Sequence, residues 1–258
     1  MLPQRSDATL YDPLGSLPTQ ARDLLSQIGP VWGRAIHRHR DMVIEAYTPL
    51  AARGDKTGVR IVRDAPYGPH GRHVVDIFYS VNVGSHPVLL YLHGGAFIRG
   101  AKRTNSELYD NLCYWFARQG MVVVNVEYRL APEAPYPGGS ADLALAVEWC
   151  RENIGRYGGD PDRVLLMGHS AGASHVATYL VDPVMKHPPS AGVRGAILLS
   201  GRLRADARED NPNAAGVRAY YGDDPSLYAE RSPVTHVERA QVPIFIAVAE
   251  FENPWLDV

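Results

Sequence analysis

The sequence has few cysteines, no long apolar run and no large excess of charge of either sign. Cys113 and Cys150 are its two cysteines, and neither belongs to a CxxC pair, so neither a disulfide framework nor a zinc site is expected. No apolar run reaches the ~20 residues that span a bilayer. The formal net charge of −2 gives nucleic acid or an anionic membrane surface no electrostatic reason to bind.

The first residues, MLPQRSD, also lack the apolar stretch of a secretory signal peptide. Together these absences predict a cytoplasmic protein with no nucleic-acid partner, no membrane partner and no bound metal. A homodimer stays open, because the sequence does not define an oligomeric state. The length of 258 residues fits one large domain better than two small ones.

From Pro87 onward, short apolar runs alternate with segments of helical periodicity. The runs are typical of strands buried on both faces; they are Pro87–Leu92, Met121–Val126, Arg163–Met167, Gly195–Leu199 and Val242–Ala247. Two sets of apolar residues recur at helical spacing, namely Leu108, Leu112, Trp115 and Phe116, and then Leu143, Val147, Cys150 and Ile154. The alternation predicts the α/β class, with a mostly parallel central sheet covered by helices on both faces.

The remaining segments predict additions to this sheet. Val59–Arg63 and His73–Tyr79 alternate in polarity and are expected to form an antiparallel edge. Residues 1–55 contain two helix candidates, Thr19–Ile28 and Val31–Tyr47, and are expected to form an N-terminal helical cap on a main domain of residues 56–258. Residues 202–240 are polar, broken by Pro and Gly, and inserted between two strands, so they are a candidate lid.

The strongest chemical motif is Gly168-His169-Ser170-Ala171-Gly172, which lies between a predicted strand and a predicted helix. A GxSxG sequence in that context is typical of a nucleophile elbow. The sharp turn places the serine in a strained backbone conformation, and the glycines supply space where side chains would clash. Ser170 is therefore the candidate nucleophile, and the N-terminus of the following helix favours negative charge beside it.

A second motif, His93-Gly94-Gly95-Ala96, follows the strand Pro87–Leu92. Acyl transfer generates an oxyanion that needs backbone N–H donors directed at one point, and a Gly-Gly turn lets the backbone approach that closely. The predicted donors of this oxyanion hole are Gly94, Gly95 and Ala171.

These motifs, with Tyr128-Arg129-Leu130-Ala131-Pro132-Glu133 and Gly159-Asp160-Pro161, resemble the hormone-sensitive-lipase-like branch of the α/β-hydrolase fold. That branch contains many bacterial acetyl esterases and other carboxylesterases. The resemblance implies an eight-stranded sheet, a helical cap from the N-terminus, and hydrolysis of short-chain esters without a cofactor.

Two positions depart from the branch. Ala96 stands where a third glycine is usual, and His169 stands where Asp is frequent. The sequence GHSAGA is also similar to kynurenine formamidases, which cleave an N-formyl amide, so a formamidase is an alternative. His93 is expected to brace its loop, whereas His175 and Asp142 are expected to be structural.

In this fold the triad runs in the order serine, acid, histidine. The resemblance places the acid at Glu252, with Asp257 as the second candidate and Glu250 as a brace of the same loop. The carboxylate would orient the imidazole and stabilise its protonated form. Phe97, Tyr128 and Trp255 are candidate pocket-lining aromatics.

No histidine follows the acid loop, and the last one, His236, precedes the strand Val242–Ala247. We therefore expect a C-terminally truncated chain that lacks a last strand, a loop with the catalytic histidine and a closing helix, about 30 residues. The strand Val242–Ala247 would then be an exposed edge.

Three functions follow from the sequence. The first is a serine hydrolase, a carboxylesterase that cleaves a small-molecule ester of short chain length through an acyl-enzyme on Ser170. The second is an N-formylkynurenine-type formamidase. The third is a non-catalytic member that binds a small molecule, as in the gibberellin receptors, which keep the fold after losing the histidine.

Overall fold

A seven-stranded sheet forms the centre of the computed structural model, which describes residues 17–80, 84–186 and 192–252. The strands are β1 Val59–Pro66, β2 Val74–Ser80, β3 His86–Leu92, β4 Val122–Val126, β5 Gly159–His169, β6 Val193–Leu199 and β7 Ile244–Ala247. Their order is β1-β2-β4-β3-β5-β6-β7. β1 pairs with β2 and β2 with β4 in antiparallel fashion, and the other pairs are parallel. The predicted parallel sheet with an antiparallel edge is thus confirmed.

Helices cover both faces because alternate residues of the central strands point to opposite layers. Leu89 and Tyr91 of β3 pack toward helix α3 (Asp110–Arg118). Leu90 and Leu92 pack toward helices α4 (Gly138–Asn153) and α5 (Ala171–Val181). The strands are almost continuously apolar since neither face of the central sheet meets water.

Helix α3 faces the sheet differently from the sequence prediction. Trp115, which was placed on the buried stripe, is 59% exposed, whereas Cys113 and Ala117 are fully buried. The two residues are spaced i, i+4 and lie on one side of the helix. Leu112 and Phe116 pack beside them, so the stripe is displaced around the helix rather than absent.

Three further helices lie outside these layers: α1 Thr19–Ile28, α2 Ile36–Ala51 and α6 Ala214–Tyr221. The predicted helix Val31–Tyr47 is divided, because residues Gly29–Arg34 form a 3₁₀ turn and Ala35 leaves helical geometry. His39 of α2 hydrogen-bonds the carbonyl of Trp32 and closes this turn. The further 3₁₀ turns are Ile154–Tyr157, Pro183–Met185, Pro225–Leu227 and Pro233–Arg239.

The edge strand β7 presents apolar side chains to solvent, with Phe245 64% and Ile246 53% exposed. Within the described ranges it pairs with β6 alone, so the described sheet has seven strands rather than the eight that the resemblance implies. No helix in the described part of the chain combines the length and apolarity needed to cross a membrane.

Asp142 of α4 joins that helix to the loop after β4. Its fully buried carboxylate accepts hydrogen bonds from the Arg129 backbone N–H at 2.8 Å and from the Arg129 guanidinium at 2.6 Å. The ring of His73 lies 3.1 Å away. The structural role expected for Asp142 therefore agrees with its position.

We predict that Asp142→Ala lowers the free energy of unfolding by about 1.5–3 kcal/mol, because the Arg129 backbone N–H and guanidinium lose a charged hydrogen-bond partner. Urea denaturation measures this loss. Glu148→Ala is the matched control on the same helix, since Glu148 forms an exposed ion pair with Arg151, worth less than about 1 kcal/mol. Equal losses in the two variants would contradict the assigned role.

Candidate active site

Ser170 occupies the turn between β5 and α5 with φ 53° and ψ −118°. This backbone conformation is strained for a residue with a Cβ. The turn is held by the Ser170 N–H, which donates to the carbonyl of Leu199 at 2.8 Å. A Cβ at Gly168 would overlap the backbone of Gly172, and a Cβ at Gly172 would overlap the carbonyls that end β3. The predicted elbow geometry is present.

Ser170 opens onto a cavity of about 860 Å³. Its lining includes Ser170, Gly94 and Gly95 together with residues of α1, of α2 and of the turn between them. The apolar cap and loop residues of the lining are Leu25, Ile28, Trp32, Ile36, Val43, Ile44, Leu108 and Phe251. A largely apolar cavity with a few polar groups at one end suits a small organic molecule.

The loop after β3 follows an unusual backbone path. Gly95 has φ 154°, and Ala96 and Phe97 follow at 49° and 70°. A Cβ at Gly95 would overlap the carbonyl of Arg99, so this position requires glycine. The turn brings Gly94 beside the elbow, because a Cβ on Gly94 would lie 3.1 Å from the Ser170 Cβ. Ala171 begins α5, where backbone N–H groups have no partner within the helix.

Tyr109 lies beside the glycine turn. Burial raises the pKa of Tyr109, and the nearby Gly94 backbone opposes that rise. Tyr109 has φ 78° at the start of α3 and lines the cavity. A phenol group therefore lies near one of the donors that the sequence assigned to the oxyanion hole.

His93 braces this loop, as expected from the sequence. It is fully buried, its Nδ1 hydrogen-bonds the carbonyl of Gly94 at 2.8 Å, and its ring stacks on Tyr128 at 4.4 Å. Its Nε2 lies 3.6 Å from Glu127, which also accepts the Lys102 N–H at 2.8 Å. Both ring nitrogens thus face loop-bracing groups rather than Ser170.

The candidate acid residues and the histidines His169 and His175 differ in where the structure places them. Glu252 and Glu250 line the cavity, and Asp257 and Trp255 lie outside the described residues. Burial lowers the pKa of His169, and the charge of Glu252 opposes this, so the two side chains are neighbours. Burial lowers the pKa of His175 to about 3.

Among the residues that the structure describes, no histidine ring is hydrogen-bonded to the Ser170 hydroxyl. His175 packs instead against Phe97, Tyr128 and Tyr220. No group of three or more His, Cys, Asp or Glu side chains in the described ranges could hold a metal ion.

Two of the candidate pocket aromatics, Phe97 and Tyr128, lie in the core. Phe97 is 2% exposed and Tyr128 is fully buried, and neither lines the cavity. Phe97 is directed away from it by positive φ and stacks on Tyr220 of α6 at 4.6 Å. Residues 202–240 contribute Asn213 to the lining, and their role as a lid stays a prediction.

Sequence reasoning missed several cavity residues, among them His37 and Arg40 of α2, Arg99 after the glycine turn, and Tyr109. Amphipathic spacing identified the cap helices but not the side of them that faces Ser170. For Arg99 a signal was available, since it follows Gly95 by four residues in the same turn.

A mostly parallel sheet, a strained serine after β5 and a glycine turn after the adjacent β3 together define an α/β-hydrolase. The chain belongs to the α/β-hydrolase family, and a family model described as alpha/beta hydrolase fold matches residues 89–256.

Among curated proteins, esterase LipQ of Mycobacterium tuberculosis is 30% identical over 205 residues, which are 72% of this chain and 48% of that protein. The para-nitrobenzyl esterase of Bacillus subtilis is 38% identical over 135 residues, 48% of this chain and 26% of that protein. The chain thus spans about half or less of the length of the curated relatives it matches.

Esterase B from Lactobacillus rhamnosis, solved with a tributyrin phosphonate, is similar with a TM-score of 0.65 and 18% identity, over 87% of this chain and 74% of that one. An esterase from the bacterial hormone-sensitive lipase family gives 0.62 and 24%, over 84% of this chain and 73% of that one. At these identities the likeness shows the fold, and it confirms the resemblance to that branch at this level.

We predict that Ser170→Gly is more stable than Ser170→Ala by about 1 kcal/mol. Glycine relieves the backbone strain of a positive φ, and this gain is partly offset because glycine gives the unfolded chain more conformational entropy. Urea denaturation of both variants measures the difference. The pair Ser174→Gly and Ser174→Ala in α5 is the control, where the order reverses because glycine weakens a helix interior. The same order at both positions would argue against strain at the elbow.

Proposed function

We propose that this chain is a carboxylesterase of the serine-hydrolase type, which cleaves short-chain esters through an acyl-enzyme on Ser170. The observation that carries the proposal is the convergence of Ser170, Gly94, Gly95 and Glu252 on one cavity. These residues come from three separate loops at the carboxyl ends of β3, β5 and β7. Ligands of open α/β sheets bind at that end.

In the proposed reaction the Ser170 hydroxyl attacks the ester carbonyl carbon and loses its proton to a base. The N–H groups of Gly94, Gly95 and Ala171 stabilise the negative charge on the carbonyl oxygen. The alcohol leaves with a proton, and water then releases the acid from Ser170.

In this proposal the base is an imidazole that Glu252 orients and stabilises in its protonated form. None of the described histidines takes this role in our proposal, because His93 and His175 are engaged elsewhere. The curated relatives are esterases, and the tributyrin phosphonate of esterase B supports a short-chain ester as the substrate class.

We expect the protein to hydrolyse p-nitrophenyl acetate, and Ser170→Ala to lower kcat by a factor of about 10⁴ or more. A fluorophosphonate probe should modify Ser170, as mapped by peptide mass spectrometry. Ser226→Ala, at an exposed serine far along the chain, is the control and should keep full activity and labelling. Labelling at another residue, or turnover that survives Ser170→Ala, would overturn the site assignment.

A formamidase is the second candidate, because the His169 of the GHSAGA sequence lines the cavity beside Ser170. We expect kcat/KM for p-nitrophenyl butyrate to exceed that for N-formylkynurenine by at least ~10-fold, as the cavity lining is mostly apolar. The reverse order would replace the esterase by the formamidase. Tight binding of either compound without turnover would favour the third hypothesis, a non-catalytic protein that binds a small molecule.

A further inference from the structure

Two arginines that act on each other electrostatically line the cavity. Arg99, from the loop after β3, and Arg40, from α2, both line the cavity. Burial lowers the pKa of Arg99, and the like charge of Arg40 lowers it further against a smaller opposing effect of Asp41. Arg40 is ion-paired with Asp41 at 2.6 Å. Within the described part of the chain, no carboxylate lies at ion-pairing distance from Arg99.

The polar neighbour of Arg99 does not neutralise it. Its Nη2 lies 3.4 Å from the Nδ1 of His37. Burial lowers the pKa of His37, and the charges of Arg99 and Arg40 lower it further, so its ring is neutral at pH 7. Two cations and one carboxylate leave this part of the wall with a net positive charge.

This positive wall is connected rigidly to the candidate oxyanion hole. The Arg99 N–H donates to the carbonyl of Gly95 at 3.1 Å, so both residues belong to one turn. The acidic side of the cavity is separate, because the carboxylate that acts on Arg99 is Asp41, whereas Glu252 acts on His169. A substrate oriented by this field would direct its anionic end to Arg99 and its ester to Ser170.

We propose that Arg99, assisted by Arg40, binds the carboxylate of the substrate, so that the preferred substrates are small esters that carry a free carboxylate. The inference rests on the proposed esterase function and specifies its substrate class. Like charges that lie close together are unfavourable, and a carboxylate bound to them relieves that cost. A guanidinium also matches a carboxylate with two parallel hydrogen bonds. The apolar lining, including Trp32 and Ile44, would accommodate the substrate body.

The test uses two pairs of compounds that differ only in charge. The first pair, 4-hydroxybenzoate and 4-hydroxybenzamide, reports binding by isothermal titration calorimetry without any turnover. The second pair, 4-acetoxybenzoate and 4-acetoxybenzamide, reports kcat/KM for ester cleavage. We expect the carboxylate compound to be favoured in both pairs, and the preference to weaken at high salt because screening reduces charge attraction.

Arg99→Gln should reduce the preference for the carboxylate compound by at least ~10-fold in both assays. This is the size of effect expected when one hydrogen bond to a charged group is lost. Arg99→Lys should retain part of it, since it keeps the charge but loses the two-pronged geometry. Arg38→Gln is the control on α2, the helix that also carries Arg40, at an exposed arginine that does not line the cavity. Thermal unfolding of each variant verifies that it folds.

The outcomes separate this inference from the proposed function. If the protein cleaves both acetoxy compounds and Arg99→Gln leaves the preference unchanged, the anion site is wrong while the esterase stands. If neither compound is cleaved but 4-hydroxybenzoate binds through Arg99, the esterase fails and the anion site stands. A preference for the amide in both assays would overturn the inference outright.

Discussion

Backbone packed directly on backbone, at the point where α5 crosses the end of β3, determines the geometry of the whole site. Gly172 lies against the carbonyls of Leu92 and His93, and Gly168 lies against Gly172, with no side chain between them. This contact holds the turn of Ser170 beside the turn of Gly94. The arrangement therefore does not depend on flexible side chains, which suits a site whose donors must be aimed before the substrate arrives.

A layer of buried polar contacts keeps that arrangement in place. Glu127 is the centre of it, because it accepts the Lys102 N–H, pairs with Arg72 and lies next to His93. Hydrogen bonds and opposite charges outweigh the desolvation of Glu127, and its pKa is lowered accordingly. Charged groups thus hold the loop after β3 on its buried side, while the other side of the loop lines the cavity.

Much of this architecture could be predicted from the sequence, because short runs of Val, Ile and Leu such as Val122–Val126 have few alternatives to a strand buried on both faces. The elbow was predictable since glycine spacing around Ser170 reflects a local steric need. The cationic wall was not, because His37 and Arg99 are 62 residues apart and meet only through tertiary packing. The burial of Phe97 was missed for a related reason, as its direction is determined by a positive φ that its own type does not favour.

Phe251, next to Glu252, places its ring on Gly29 at the junction of the two cap helices, where any Cβ would overlap it. The acid loop and the cap helices are consequently in contact through this ring. A displacement of the cap that admits a bulky molecule would transmit force through this aromatic ring to the neighbouring carboxylate. Entry to the cavity and the position of the Glu252 carboxylate are in this way linked through Phe251, which itself lines the cavity.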